Sequence, residues 1–382
     1  MKKRLLAMLL CAAMMVSVCA CGDANADKNS QNSADKGSSN AQEVKQPSID
    51  TLADYSDMSV VLSGDYEITE DVLNVYFSEV LYSAGLGIIK VTDRDTVQAG
   101  DIVKADYTGF VNDQKFQGGA ATQQWLDVSN NCGIDITTGA SSGGFIEGFT
   151  DGLIGAKIDE ATDSPIVFPA SYDSDTTLED GSTVNLANQP AVFQFVVHEI
   201  YEEVTPENIT DDFVAENLSS VYDVNTVEEF MAFLKNDLTY TFTINYVIQN
   251  STFTIPESYL YARLEDYQAY FEEIYCQGVG LETYLSYYGT TLDQMQVQWL
   301  SQINSQIKAE LVFAAIVEKS NLTLDEEGHI AYVQSIMDAN GDYFKDAESV
   351  HKYAGSGNAE AGEAYMKNQT AVRNNFVANY DK

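Results

Sequence analysis

Basic residues are scarce in this chain. Its 20 lysines and arginines stand against 58 aspartates and glutamates, and the formal net charge is −38 over 382 residues. So strong a negative field argues against nucleic acid and anionic lipid surfaces as partners, because both carry the same sign of charge. Histidine is scarcer still, with three residues. The composition therefore indicates a highly soluble acidic protein, and we expect no nucleic-acid partner.

The sequence patterns of metal and nucleotide sites are also missing. There is no C-x-x-C, no H-E-x-x-H and no Walker lysine. Residues 338–349 begin like a calcium loop, but Tyr343 replaces the central glycine and Ser349 replaces the final glutamate. We interpret that segment as a turn that ends a helix. We expect neither a metal nor a cofactor.

The N-terminus predicts a lipoprotein signal peptide over residues 1–20. Lys2-Lys3-Arg4 precedes an apolar stretch from Leu5 to Val18 that is too short to span a bilayer as a helix. The following Val18-Cys19-Ala20-Cys21-Gly22 resembles a bacterial lipobox, so Cys21 is the expected lipidation site. An ordinary signal peptide cut nearby is the alternative. Lipidation would place the chain at the extracytoplasmic face of the bacterial cell membrane.

Composition and periodicity divide the rest of the chain into four segments. Residues 21–50 are rich in Ser, Asn and Asp and predict a disordered tether. Residues 51–90 predict a linker with one helix, which starts after Thr69 and ends before Gly85. Residues 91–203 contain aromatic and β-branched runs and predict an α+β domain with an antiparallel sheet and one short helix. Residues 204–382 carry apolar stripes at helical spacing and predict a mostly α-helical domain.

One stretch, Phe145 to Gly155, combines aromatic side chains with glycines and contains no nucleophile or metal ligand. Such a pattern suits a short helix packed tightly on a sheet beside an apolar pocket. A site of this kind works by enclosing an apolar group. Gly139 to Gly143 also fits the G-x-S-x-G nucleophile elbow. We interpret it as a turn, because His198 follows too soon for a hydrolase, and a serine hydrolase using Ser141 stays a remote alternative.

Taken together, these motifs resemble trigger factor, the bacterial chaperone with an FKBP-type prolyl isomerase domain. The resemblance runs from Leu52-Ala53-Asp54-Tyr55 through the stretch between Asp106 and Ile200. It continues in the helical part at Ile209–Phe213, Val227–Phe230 and Leu324–Glu327. The family's N-terminal ribosome-binding domain has no counterpart, so no ribosome partner is expected. The resemblance implies an FKBP-type sheet wrapped on a short helix, followed by a domain like the trigger factor C-terminus.

The resemblance also implies a site. In FKBP-type domains an aromatic pocket holds the proline ring of the substrate. The residues that carry over as catalytic are Tyr107, Phe116, Ile146, Phe149, Tyr172 and Phe193, and those that carry over as further pocket residues are Gln117, Ile136 and Phe145. The Ile146 N–H would bind a substrate carbonyl. Gln117 stands where an acidic residue is frequent, and the segment from Asp173 to Thr183 is longer than usual.

The expected function is that of a membrane-anchored foldase that isomerises X-Pro bonds and binds unfolded or nascent secreted polypeptides. Its enzymatic part would be a peptidyl-prolyl cis-trans isomerase. The alternative is a holdase, a peptide-binding lipoprotein with little isomerase activity. A protease-coupled assay on a proline peptide distinguishes the two, because only the first accelerates isomerisation.

Overall fold

A computed structural model describes residues 45–276, 278–341 and 343–380. The predicted signal over residues 1–20, the lipidation site Cys21 and most of the tether lie outside the described residues. Backbone contacts divide the chain into two units. The sheet unit runs from Thr69 to Leu234, and the helical unit comprises the described residues on either side of that stretch. The domain boundaries drawn from the sequence stay a prediction.

Regular elements fill most of both units. The strands are β1 Ser48–Thr51, β2 Ile88–Lys90, β3 Ile102–Val111, β4 Gln114–Asp127, β5 Cys132–Ile134, β6 Ser141–Gly144, β7 Ala161–Val167, β8 Asp175–Thr177, β9 Thr183–Asn185, β10 Pro190–Glu203 and β11 Thr252–Thr254. The helices are α1 Met58–Val61, α2 Glu70–Ser83, α3 Asp211–Asn217, α4 Ser219–Tyr222, α5 Val227–Asn250, α6 Glu257–Tyr275, α7 Leu281–Tyr287, α8 Leu292–Lys319, α9 Glu326–Ala339, α10 Ala347–Ala354 and α11 Ala359–Tyr380.

The sheet unit is built on an antiparallel sheet in the order β2-β10-β3-β4-β5-β6, with β7 paired to the first half of β10. Strand β10 organises this sheet, because its 14 residues pair with β2, β3 and β7. Its alternation places Phe193, Phe195 and Val197 on the buried face. The antiparallel sheet expected from the sequence is confirmed.

The short helix expected on this sheet is a single 3₁₀ turn, Asp151–Leu153. Its one buried apolar side chain is Leu153, which belongs to the core cluster beneath the sheet. The glycines on either side of this turn, Gly148 and Gly155, have positive φ, which an α-helix does not contain. The helix is therefore limited to a single turn. The α+β class is confirmed, with this shorter helix.

Helix α2 begins and ends as its sequence predicts. The Thr69 side chain accepts a hydrogen bond from the Val72 N–H at 3.2 Å, which satisfies one of the free donors of the first turn. Phe77 and Leu81 are fully buried. They pack with Phe230 and Leu234 of α5 in a second core of the sheet unit.

The helical unit has a core of its own between α5, α8 and α11, with Val247, Val312, Phe313 and Val372 at its centre. The last part of the predicted tether belongs to this unit, because β1 pairs with β11 and Ile49 lies opposite Phe253. Burial of Ile49 against the helical core accounts for this difference from a flexible tether. Among the described residues, no helix is long and apolar enough to cross a membrane.

Candidate active site

The candidate site is a cluster of aromatic rings centred on Phe149, which is 2% exposed. Phe145 stacks on it with ring centroids 4.3 Å apart. Phe193 and Tyr107 meet it edge-on, at 4.7 Å and 5.1 Å. Both geometries are favourable for aromatic rings. Because Tyr107 comes from β3 and Phe193 from the neighbouring β10, two paired strands support the loop that carries Phe145 and Phe149.

A second group of rings extends this cluster toward solvent. Phe116 of β4 lies 5.9 Å from Phe193 and 6.0 Å from Phe168. Phe168 in turn lies 5.0 Å from Tyr172, which is 43% exposed. The structure therefore brings six predicted residues into one apolar cluster: Tyr107, Phe116, Phe145, Ile146, Phe149 and Phe193. Tyr172 reaches that cluster through Phe168.

Asn131 organises the loop between β6 and the 3₁₀ turn. Its Nδ2 donates to the carbonyls of Phe145 and Ile146, at 3.2 Å and 2.8 Å. Its Oδ1 accepts from the Thr150 N–H at 3.0 Å. These hydrogen bonds hold the backbone from Phe145 to Thr150 in place, and with it the rings of Phe145 and Phe149. Pattern reasoning overlooked Asn131 because it lies 14 residues or more from the groups that it binds.

Two polar groups of this cluster are available to a substrate. The N–H of Ile146 has no acceptor within the described part of the chain. The hydroxyl of Tyr107 likewise has no partner there, and burial raises the pKa of this tyrosine above its usual value. At neutral pH Tyr107 therefore keeps its proton and can donate a hydrogen bond.

Ile136 is not part of the ring cluster. It packs instead with Tyr82, Ile102 and Ile134 in a separate apolar group. The cause is the tight turn after β5, in which Asp135 accepts from the Gly139 N–H at 2.8 Å. That turn directs Ile136 toward Tyr82 of α2. Its expected place beside the proline ring stays a prediction.

The side chain of Gln117 is also outside the cluster, since it is exposed. Successive strand residues point to opposite faces, so Gln117 faces away from Phe116. Its backbone carbonyl has a structural role, because it accepts from the Thr176 hydroxyl at 2.9 Å.

The long segment after Tyr172 forms the β8–β9 hairpin. Leu178 at its tip is 6% exposed and bridges to Phe116 on β4. The hairpin therefore covers the edge of the ring cluster and supports Phe116. Its signal in the sequence was the unusual length of the segment, while Leu178 itself was not anticipated.

Two other possibilities for chemistry find no support in the geometry. Ser141 is the first residue of the exposed strand β6, whereas a nucleophile elbow needs a sharp turn from a strand into a helix. His198 contacts Asp106 and Asp159 at 3.2 Å and 3.3 Å. Across the described ranges, no three His, Cys, Asp or Glu side chains are grouped so that they could hold a metal ion.

Two family models match this chain. The model of the FKBP-type peptidyl-prolyl cis-trans isomerase matches residues 93–198, and that of the bacterial trigger factor C-terminus matches residues 236–368. The first covers every residue of the ring cluster, and the second covers most of the helical unit.

Among curated proteins, the trigger factor of Macrococcus caseolyticus is 26% identical over 344 residues, which cover 87% of this chain and 73% of that protein. The trigger factor of Bacillus cytotoxicus is 28% identical over 289 residues, or 72% of this chain, and that of Bacillus cereus is 28% identical over 263 residues, or 66%. The chain spans 61% and 56% of the length of these two relatives.

A solved structure of the trigger factor chaperone is also similar, at 12% identity over 85% of this chain and 69% of that one. Its TM-score is 0.25, so we draw nothing from that superposition. The family models and the relatives all point to trigger factor and to FKBP-type isomerases. The resemblance expected from the sequence is thus confirmed: the chain is similar to trigger factor, with a region that matches FKBP-type peptidyl-prolyl isomerases followed by one that matches the trigger factor C-terminus.

Proposed function

We propose that the protein is a foldase that isomerises X-Pro peptide bonds of other polypeptides. The ring cluster of its sheet unit is the site of this reaction. The observation that carries this proposal is the pairing of a buried aromatic floor with two free donors, the Ile146 N–H and the Tyr107 hydroxyl. Proline is an apolar ring next to two carbonyls. Such a ring would pack on the partly buried Tyr107 and Phe145 beside Phe149, and its neighbouring carbonyls would accept from the two donors.

The chemistry needs no nucleophile. Rotation about a peptide bond is slow because amide resonance sets a barrier of about 18–20 kcal/mol. The planar amide is the form with the greater charge separation, and an apolar floor disfavours it relative to the twisted form. A donor that binds the substrate carbonyl holds the peptide while the prolyl bond turns. The site therefore favours the transition state over the ground state.

The helical unit is the part that we propose holds unfolded polypeptides. Its match to the trigger factor C-terminus supports this role. Large apolar side chains also lie exposed around α7 and α8, where Tyr287, Tyr288 and Val297 are each at least 70% exposed. Exposed apolar groups of this kind are typical of surfaces that bind other chains.

We infer the client class and the cellular location of the protein from its predicted N-terminal signal. The lipobox at Cys21 supports a lipid anchor at the extracytoplasmic face of the bacterial membrane, and the clients would then be unfolded secreted chains. Radiolabelled fatty acid should enter the wild-type chain and should not enter Cys21→Ser. Equal labelling of the two proteins would contradict the anchor without affecting the isomerase proposal.

The isomerase proposal is tested by a protease-coupled assay on a proline tetrapeptide. The full chain should accelerate the cis-to-trans step. If the chain does not accelerate that step and still prevents aggregation of an unfolded protein, the holdase alternative is correct. Two features support this alternative: Gln117 stands where isomerases of this type often have an acidic residue, and the β8–β9 hairpin covers Phe116.

A further inference from the structure

Two of the three histidines meet in the helical unit. His329 on α9 and His351 on α10 approach with their Nε2 atoms 3.1 Å apart. Their rings are nearly parallel, at an interplanar angle of 14°, with centroids 5.2 Å apart. His329 is 5% exposed, and His351 is half-buried. At this distance one ring donates to the other, and two neutral imidazoles that share one hydrogen bond satisfy the geometry.

The surroundings decide which ring donates. The Nδ1 atom of His329 is buried and has no partner within the described ranges. A buried N–H without an acceptor is rarer and more costly than a buried bare acceptor. His329 therefore keeps its proton on Nε2 and donates it to Nε2 of His351. The bare Nδ1 of His329 faces the protein interior.

An added proton has no favourable place in this arrangement. On Nε2 of His351 it would set two N–H groups against each other at 3.1 Å and break the shared hydrogen bond. On Nδ1 of His329 it would create a buried, charged donor without an acceptor. Both outcomes oppose protonation while the two helices stay packed.

The charged groups that surround the pair are Glu326 on α9 and Glu363 and Lys367 on α11, with Lys352 and Glu348 on the helix of His351. Lys367 binds Glu326 at 2.7 Å and Glu363 at 2.8 Å, so its single charge offsets only part of the two carboxylates. Burial is the main cause that lowers the pKa of both histidines below the usual value, while Glu363 acts in the opposite direction.

Helix α10, which carries His351, contacts α11 and α9 in different ways. On one side, a Cβ at Gly362 of α11 would lie 1.9 Å from the His351 carbonyl, so α10 and α11 are in backbone contact. On the other side, α9 meets α10 through side chains, namely the histidine pair and the apolar cluster around Val333, Ile336 and Val350. The junction of α9 with α10 thus depends on side-chain packing, so a change in the histidine pair acts on it directly.

We propose that the His329–His351 pair is an acid-sensitive latch that holds α9 on α10 while both rings are neutral and releases it when a proton binds. Release would uncover the apolar side chains beneath the pair. Acidification of the medium outside the cell would thereby expose additional apolar surface on the helical unit. This inference is independent of the isomerase proposal, since neither histidine lies in the sheet unit.

Two measurements on the full chain test the latch. In the first, NMR follows the three histidine rings through a pH titration. His329 and His351 should take up protons together and below the usual histidine range, while His198, whose pKa its carboxylate partners raise, serves as the internal reference. If His329 and His351 titrate independently at the ordinary value, the latch is refuted.

In the second, hydrogen exchange is measured over residues 326–354 and corrected for the intrinsic effect of pH. Protection should fall by up to about a hundredfold per pH unit below the usual histidine range, because each of the two released rings can take up a proton. The double variant His329→Gln with His351→Gln should lose this dependence, while the matched control His198→Gln should keep it. An unchanged dependence in the double variant would overturn the proposal. If that variant does not fold, the titration of the wild-type rings decides.

Discussion

Tyr107 contributes the one hydroxyl among the six clustered pocket residues, and its role can be separated from that of its ring. Tyr107→Phe keeps the contacts with Phe149 and Phe193 and removes only the donor. Loss of one hydrogen bond to the substrate costs about 1 kcal/mol, so the isomerase rate should fall about fivefold with little change in stability. The coupled peptide assay and thermal unfolding together check this expectation. Tyr287→Phe in the helical unit, at a side chain that is 72% exposed, is a matched control that should leave the rate unchanged.

His198 links the stability of the sheet unit to pH. The Asp106 carboxylate, 3.2 Å from Nε2, is the main cause that raises its pKa, and Asp159 contributes as well. A raised pKa in the folded state stabilises the fold fully below the unfolded value of about 6.5. That contribution disappears as the pH rises through the folded pKa.

Replacement of His198 tests this sign directly. His198→Gln should be less stable than the wild type at pH 6, and the two should converge near pH 9. Denaturant unfolding at a series of pH values measures the difference. A gap that widens as the pH rises would contradict the assignment. Because the side chain is 29% exposed, added salt should narrow the gap at pH 6.

At the scale of elements, the turn that carries Phe149 depends on a close approach between Gly152 and β7. A Cβ at Gly152 would lie 2.6 Å from the Cβ and 2.7 Å from the Cα of Ser164. Neither atom can move without a shift of the strand. The Ser164 hydroxyl also accepts a hydrogen bond from the Gly152 N–H and donates one to the Gly148 carbonyl. A shift of Ser164 would therefore displace the backbone on both sides of Phe149.

Gly152→Ala should therefore destabilise the sheet unit by about 1–3 kcal/mol and lower the isomerase rate in folded protein. The matched control is Gly144→Ala, because a Cβ at Gly144 meets nothing within 4 Å and its φ is not in the left-handed region. That variant should stay close to wild type in both measurements. Equal behaviour of the two variants would show that the contact with Ser164 is unimportant.

A buried ion pair joins the helices of the helical unit. Arg263 of α6 is 2% exposed and binds both oxygens of Glu310 on α8 at 2.9 Å. It also donates to the Gly355 carbonyl, just after α10, at 2.8 Å. Removal of one partner leaves a buried charge uncompensated, whereas removal of both leaves none.

Arg263→Met alone should therefore cost about 3–5 kcal/mol of unfolding free energy. The double variant Arg263→Met with Glu310→Leu should recover most of that loss. Denaturant unfolding of the wild type and of the single and double variants forms a complete mutant cycle. If the double variant is as unstable as Arg263→Met, then the Gly355 carbonyl bond, and not the carboxylate, is what Arg263 contributes.

For the whole molecule, the proposed isomerase and chaperone activities belong to different units. A full-length chain with Phe149→Leu should lose isomerase rate and still suppress aggregation of an unfolded protein that lacks proline. The acidic surface should favour basic clients, and suppression should weaken as salt rises. Light scattering at several salt concentrations, with an acidic client as control, measures both effects. Loss of suppression in Phe149→Leu would show that the pocket itself binds the clients.

The sequence alone determined the local elements of this protein. Thr69 begins helix α2 as its side chain predicts, because its hydroxyl accepts from the Val72 N–H at 3.2 Å. The alternation in β10 placed Phe193 on the buried face, and the glycine-rich stretch after Phe145 indicated an apolar site. These features depend on residues a few positions apart, so the pattern contains the necessary information.

Only the tertiary structure decided which residues meet across long separations. Ile136 packs on Tyr82 and not on Phe149, and Ile49 pairs with Phe253 about 200 residues away. Asn131 holds the pocket loop, Leu178 supports Phe116, and His329 meets His351. No local period encodes these contacts, because each depends on how packed elements fill space and on which polar atoms are left to be paired.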